Sequence, residues 1–328
     1  MSTQIPYNFG RSLAFPFMSG PGSAGFVIKS AILYSLVSTV LMALFGKMLI
    51  GPVVEFIQLA EQIDAANGEP PTEEVFKLFS LMGRMVWPFL LVSLLSWFVL
   101  AIIEGAFYRR VFREEFKSMP WRFGRDEVLV MLSQLVYFLI FFGVILLFYI
   151  FLAIVIGLGA VIGGGGGALA GIFLFLGIIA LIVGSIWIGI RLSPITPLSV
   201  VRGRLALGEA WRVTKGRFWL VFASFVVVFV IAYIVSLIVQ LILQKAVLGA
   251  IMPSMDALQN MSDSDPGEAI NKVISILMQP GNLTAMALAF FLYMVVQGVL
   301  RLVYAGIVAN ATDIYLREQG EKDVSVFD

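Results

Sequence analysis

The sequence lacks two residue types altogether, because none of its 328 residues is cysteine or histidine. Disulfide bonds, thiol nucleophiles, imidazole acid–base chemistry and zinc or haem sites built on these ligands are therefore excluded. Charge is also scarce: Asp, Glu, Lys and Arg make up 13% of the residues, roughly half of their share in an average soluble domain. A water-soluble globular protein is thus excluded as well.

The abundant residues are apolar. Hydrophobic side chains account for 60% of the chain, with 28 Phe and a mean hydropathy of +0.97. An apolar surplus of this size cannot be hidden in the core of one soluble domain, so the sequence predicts an integral membrane protein. The net charge of +1 gives no indication of nucleic-acid binding.

Long uncharged intervals predict six membrane-spanning helices. A spanning helix needs about 20 mainly apolar residues, because the hydrocarbon layer is about 30 Å thick. The longest uncharged interval contains the glycine run 163–167, which predicts a reversal between two helices. We therefore expect an all-α, polytopic transmembrane helical bundle that forms a single integral membrane domain over residues 1–328. The predicted spans are about 26–50, 85–107, 130–162, 168–191, 218–243 and 283–309.

The distribution of Lys and Arg predicts the orientation of these spans. The connections after the second and fourth spans are rich in basic residues, whereas those after the first and fifth are rich in acidic ones. Under the positive-inside rule the basic connections face the cytoplasm, and an even number of spans then places both termini there. The two acidic connections also carry helix start signals at Thr72 and at Asp265-Pro266, which predict amphipathic helices.

Residues 201–219 predict a basic amphipathic helix at the inner leaflet. At about 100° per residue, most of the apolar side chains share one arc and the basic ones share the other. The open alternative is that these charges only fix the topology and solvate a cytoplasmic turn. The candidate contacts with anionic lipid headgroups are Arg202, Arg204, Trp211, Arg212 and Lys215.

The segment 209–219, EAWRVTKGRFW, follows a span that ends at Arg191 with Pro194 and Pro197. This arrangement resembles poorly characterised six-helix bacterial inner-membrane proteins, namely the families grouped around the membrane domain of glycerophosphodiester phosphodiesterases and the YciC-like proteins. Residues 310–317 are similar to the closing segment of these proteins. The resemblance implies a location in the bacterial inner membrane and no known reaction, because the phosphodiesterase name belongs to an attached catalytic domain that we do not find here.

Polar side chains recur at helical spacing within three of the predicted spans. Such groups are costly in lipid, so we expect them to face inward. Glu104 and Arg301 have similar predicted depths and opposite charges, and we predict that they pair. The candidate polar interior consists of Glu104, Gln240, Gln297 and Arg301. It serves either as hydrogen-bonding glue between helices or as a cavity for a lipid headgroup or a solute.

Three classes of function are compatible with these patterns. The first is a non-enzymatic multi-pass membrane protein that organises lipid, especially anionic phospholipid, or supports a membrane partner complex without a cofactor. The alternative is a small transporter or lipid carrier that uses the polar interior. The third is a membrane-embedded lipid enzyme, which would need carboxylates and a metal; Asp126, Glu127 and Asp313 could meet at the inner interface and bind Mg²⁺. A water-accessible cavity among the intramembrane polar residues would favour the carrier.

Overall fold

The computed structural model describes residues 7–65, 72–117, 121–162, 166–259, 272, 275–276 and 278–321. All regular secondary structure in these ranges is helical, which confirms the all-α class. In chain order the helices are α1 (Phe9–Met18), α2 (Ser23–Ala65), α3 (Thr72–Arg113), α4 (Arg125–Ile162), α5 (Gly166–Leu192), α6 (Ile195–Arg202), α7 (Leu207–Val213), α8 (Phe218–Gln259) and α9 (Pro280–Glu318).

Six helical segments are long and apolar enough to cross a membrane, and each overlaps one predicted span. In the most apolar 18-residue stretch of each segment, at most 17% of the residues are buried, and the others are half-buried or exposed. So much exposed apolar surface is typical of helices surrounded by lipid. The segments are Ser23–Ala60, Phe76–Arg113, Arg125–Val161, Ala168–Arg202, Phe218–Lys245 and Pro280–Glu318.

The helices extend beyond the apolar segments that predicted them. The helix expected to begin at Thr72 is continuous with the second span, because α3 runs without a break from Thr72 to Arg113. The helix expected from Asp265-Pro266 lies mostly outside the described residues. Residues 163–165 of the glycine reversal also lie outside them, but α4 and α5 pack against each other as the hairpin prediction requires. The Tyr137 hydroxyl links the pair by donating to the Gly189 carbonyl at 2.9 Å.

The chain divides into two compact units. The first consists of Met1–Ala24, Glu104–Val228 and Leu302–Asp328, and the second of Gly25–Ile103 and Phe229–Arg301. Their charges differ in sign: the first unit has 15 Lys and Arg against 11 Asp and Glu, and the second has 7 against 10. The long helices α3, α8 and α9 each contribute residues to both units.

The first unit contains the larger polar and apolar core. Its apolar cluster joins the end of α5 with α6, α7 and parts of α8 and α9. Helix α1 packs against the end of α9, where the Asn310 amide donates to the Ser12 hydroxyl at 2.6 Å. The Tyr7 hydroxyl shares a hydrogen bond of 3.1 Å with Ser224, and burial raises the pKa of Tyr7 above its ordinary value. The N-terminal helix is thus part of the core of this unit.

Two close contacts join α2 to α9 in the second unit. The Ser35 hydroxyl donates to the Phe291 carbonyl, which joins α2 to α9. A Cβ atom at Gly298 would lie 2.9 Å from Cα of Ala31, so glycine is what permits the close approach of these two helices. Most other large side chains of this unit are apolar and exposed.

Candidate functional site

Two members of the predicted polar interior occur in different units. Glu104 of the first unit is 5% exposed, and the Gln134 amide donates to its carboxylate at 2.9 Å. Arg301 of the second unit is exposed. The predicted ion pair between Glu104 and Arg301 stays a prediction. One partner of Glu104 is the neutral amide of Gln134 on α4, which sequence reasoning did not identify.

The second unit brings together only part of the predicted stripe of polar residues on α8. The Gln297 amide donates to the Ser236 hydroxyl at 2.9 Å, which joins α9 to α8. Gln240 is exposed among the described residues, although its polarity predicts an inward orientation. The buried side of α8 follows small and apolar residues, including Ala232, and Tyr233 points away from it because neighbouring helical positions differ by about 100°.

Residues 201–219 do not form one amphipathic helix, and that prediction is wrong. Helix α6 ends at Arg202, and Gly203 follows in the left-handed conformation with φ of 63°. Helix α7 then covers only Leu207–Val213 before a turn in which Gly216 has φ of 81°. The two glycines favour these conformations because they have no Cβ atom, so they break the helical periodicity on which the prediction rested.

The candidate lipid contacts separate into two groups. Arg202 is occupied within the protein, since its guanidinium donates to Glu209 at 2.8 Å and to Glu321 at 2.5 Å. The hydrogen bond from Arg202 lowers the pKa of Glu321 below its ordinary value. Arg202 is therefore a structural link between α6, α7 and the end of the described chain, and its contact with lipid stays a prediction.

The other three cations are available. Arg204, Arg212 and Lys215 are exposed, and none of them forms a salt bridge with another described residue. Trp211 is 38% exposed and lies between them in the chain. A partly exposed indole beside exposed cations is the combination found at the headgroup level of membranes.

Arg191 fixes this tryptophan in place. Its guanidinium carbon lies 5.5 Å from the Trp211 ring centroid, 5.9 Å from that of Trp187 and 5.3 Å from that of Phe218. Its Nη1 also donates to the Thr214 hydroxyl at 3.3 Å. These cation–π contacts connect the end of α5 with α7 and the start of α8. Three of these contacts, Trp211, Thr214 and Phe218, lie within the segment 209–219.

A buried ion-pair network joins the end of α3 to the start of α4. The side chains of Arg109 and Glu127 are fully buried and form an ion pair. Nε of Arg109 also lies 3.5 Å from Glu115, and Arg113 donates two hydrogen bonds of 2.8 Å to Asp126. The sequence contained a signal for this network, because a run of arginines and the acidic pair 126–127 flank one short connection.

A cavity of about 250 Å³ lies beside this network. It is open at the surface of the first unit and takes its side chains from the end of α3, the start of α4 and the turn after α6. Sequence reasoning did not identify it, since it assigned these residues only to topology. The lining residues are Arg113, Arg122, Gly124, Arg125, Asp126, Glu127 and Gly203.

The carboxylates considered for Mg²⁺ are engaged by arginines. Asp126 accepts from Arg113, Glu127 pairs with Arg109, and Asp313 accepts from Arg317 at 2.9 Å. Within the described ranges there is no group of three or more Asp, Glu, His or Cys that could hold a metal ion. The geometry thus gives no support to a magnesium site built on these residues.

Helix length, composition and exposed apolar surface define the class: a multi-pass α-helical membrane protein with six candidate spans. Comparison with models of protein families, with curated proteins and with solved structures finds no match for this chain. The resemblance to the phosphodiesterase membrane-domain and YciC-like families therefore stays a prediction.

Proposed function

We propose that this chain is a non-enzymatic, multi-pass protein of a bacterial inner membrane that organises anionic phospholipid through its basic first unit. The observation that carries the proposal is the group of exposed cations Arg204, Arg212 and Lys215 around Trp211, none of which has a salt bridge among the described residues. A cation near a membrane surface attracts anionic lipid by about 1 kcal/mol. Trp211 supplies the matching interfacial anchor.

The orientation belongs to the same proposal. The basic connections after the second and fourth spans face the cytoplasm, and both termini lie on that side. The anionic lipid is then that of the cytoplasmic leaflet. The first unit has 15 Lys and Arg and the second has 7, which supports this assignment because cytoplasmic segments retain Lys and Arg.

The transporter alternative depends on a cavity within the intramembrane polar interior. The cavity beside α4 is lined by none of Glu104, Gln240, Gln297 and Arg301. Gln240 and Arg301 are exposed in the second unit. Lipid organisation needs no such cavity and is therefore the function proposed here.

Native mass spectrometry of the purified full-length protein tests the proposal. The protein is exchanged into mixed micelles with equal amounts of phosphatidylglycerol and phosphatidylcholine, and the retained lipid is counted. We expect preferential retention of phosphatidylglycerol, and a decrease of that preference by roughly thirtyfold in R204Q/R212Q, since two charges contribute about 2 kcal/mol.

The matched control is K47Q/K245Q, which removes two exposed cations from the second unit. We expect it to retain the preference for phosphatidylglycerol. Equal retention of the two lipids by the unmodified protein, or the same loss in both double variants, would overturn the proposal. A second polypeptide retained at fixed stoichiometry in place of lipid would instead assign the basic surface to a membrane partner.

A further inference from the structure

The cavity beside the buried ion pairs is basic once the ion pairs of its lining residues are taken into account. Two of its lining residues are acidic, but Asp126 is held by two hydrogen bonds from Arg113, and Glu127 is paired with the fully buried Arg109. Their negative charges are therefore compensated inside the protein. The remaining charged lining residues are Arg122 and Arg125, so the cavity as a whole is basic.

Arg125 is the side chain with most unused capacity. Its Nη2 donates to the carbonyl of Gly203 at 2.8 Å, and it forms no salt bridge with a described residue. A guanidinium has five N–H donors in a planar fork, so four of them are left for a ligand. The carbonyl contact orients the fork without neutralising its charge.

Arg122 also lines this cavity. Its Nη2 donates to Glu115 at 3.2 Å, a carboxylate that also lies 3.5 Å from Arg109. Because Arg109 already balances Glu127, Glu115 balances Arg122, and the net positive charge of the cavity comes from Arg125. Arg122 is exposed and retains donors on its other nitrogens.

The start of α4 adds backbone donors to the two side chains. The Gly124 carbonyl accepts the first hydrogen bond of this helix, from the N–H of Val128. The N–H groups of the first helical residues therefore have no acceptor inside α4, and the helix dipole favours an anion near them. Gly124, which directly precedes this helix, also lines the cavity.

We infer that this cavity binds a phosphoryl group, held by the guanidinium groups of Arg122 and Arg125 and the N–H groups at the start of α4. Guanidinium forks match the spacing of phosphate oxygens and bind them through paired hydrogen bonds. A volume of about 250 Å³ suits a headgroup phosphate or a free phosphate but not a whole lipid. The inference rests on the proposed function: the exposed cations attract anionic lipid to the protein surface, and this cavity holds its phosphoryl group.

The test uses the full-length protein in nanodiscs of phosphatidylcholine. Isothermal titration with inorganic phosphate measures the free-phosphate arm, and native mass spectrometry after addition of phosphatidic acid measures the lipid arm. We expect saturable binding in at least one arm and at least tenfold weaker binding in R125Q. R125K, which keeps the charge but loses the fork, should give an intermediate value.

The control is K117Q, which removes an exposed cation from the same unit outside the cavity lining. It should change the affinity less than twofold. Should R125Q elute as aggregate in size-exclusion chromatography, R122Q replaces it with the same expected direction. Binding in the phosphatidic acid arm alone assigns the site to a lipid headgroup, and binding of inorganic phosphate assigns it to a free phosphate.

Absence of saturable binding in both arms would overturn the inference, as would equal weakening by K117Q and R125Q. Its failure is distinguishable from failure of the proposed function. Phosphate binding requires no anionic bilayer, whereas retention of phosphatidylglycerol depends on Arg204 and Arg212. Each result can therefore be positive while the other is negative.

Discussion

The first unit contains a buried ion pair, whereas the ion pairs described in the second unit are exposed. In the first, Arg109 and Glu127 are fully buried partners, and helix α1 is hydrogen-bonded to α9. In the second, the ion pair between Arg84 and Glu55 is exposed on both sides. Buried polar groups are costly to separate, while exposed pairs contribute little. Specificity of packing is therefore concentrated in the first unit, which also contains the candidate site.

The sharpest difference between the units is expected for their ion pairs. E127Q leaves the buried guanidinium of Arg109 without its nearest counter-charge, so we expect a loss of about 3 kcal/mol in the free energy of unfolding. E55Q removes the same charge from an exposed pair and should cost less than about 1 kcal/mol. Thermal unfolding in detergent, followed by tryptophan fluorescence, measures both. Equal shifts in the two variants would remove the distinction between the units.

The close approach of α1 to α9 gives the next largest effect. A Cβ atom at Gly306 would lie 2.6 Å from Cδ of Pro16, and the rigid proline ring has no flexible end to move aside. G306A should therefore cost about 1–3 kcal/mol through overpacking. G83A of the second unit meets nothing within 4 Å, and alanine should stabilise its helix slightly. If G306A is as stable as G83A, the described docking of α1 is wrong.

Matched hydroxyl deletions compare polar contacts in the two units. S12A removes the acceptor of the Asn310 amide, where both residues are fully buried, and should cost about 1–3 kcal/mol. S236A removes the acceptor of the half-buried Gln297 amide and should cost about 0.6 kcal/mol, a typical value between membrane helices. The free energy of unfolding in detergent is the readout. The reverse order of the two losses would show that burial is not the deciding factor.

The smallest effect concerns the link between Arg202 and Glu321. Since this hydrogen bond lowers the pKa of Glu321, its stabilisation is fully present above the ordinary value of 4.5 and is lost as pH falls through the lowered value. In E321Q the pH dependence of unfolding below pH 4.5 should flatten, by less than about 1 kcal/mol because the side chain is 40% exposed. An unchanged pH profile in E321Q would contradict the contribution of this pair.

The six spanning helices were predictable because they follow from local composition. An apolar run of sufficient length must be helical in lipid, whatever the rest of the chain does. The orientation of single polar side chains was less predictable, as Gln240 demonstrates. Its inward orientation was inferred from polarity, but the packed side of α8 follows small residues such as Ala232. Which side of a helix packs depends on the shape of its neighbours.

The candidate site was predictable only in part. Arg204, Arg212 and Lys215 were identified from the sequence as lipid contacts, and their exposure agrees with that assignment. The continuous helix expected around them fails at Gly203, whose conformation overrides the periodic pattern. The cavity at Arg125 was missed, because it combines side chains from separate helices with the turn after α6.

By itself, the sequence determined that the chain belongs in a membrane and which connections are basic, because both properties depend on composition within short segments. Only the tertiary structure decided which cations form ion pairs within the protein and which lie exposed. Arg202 is neutralised by Glu321, a residue 119 positions away, whereas Arg204 lies exposed two residues further on. The physical reason is that the strength of an ion pair depends on distance and burial in space, which separation along the chain does not fix.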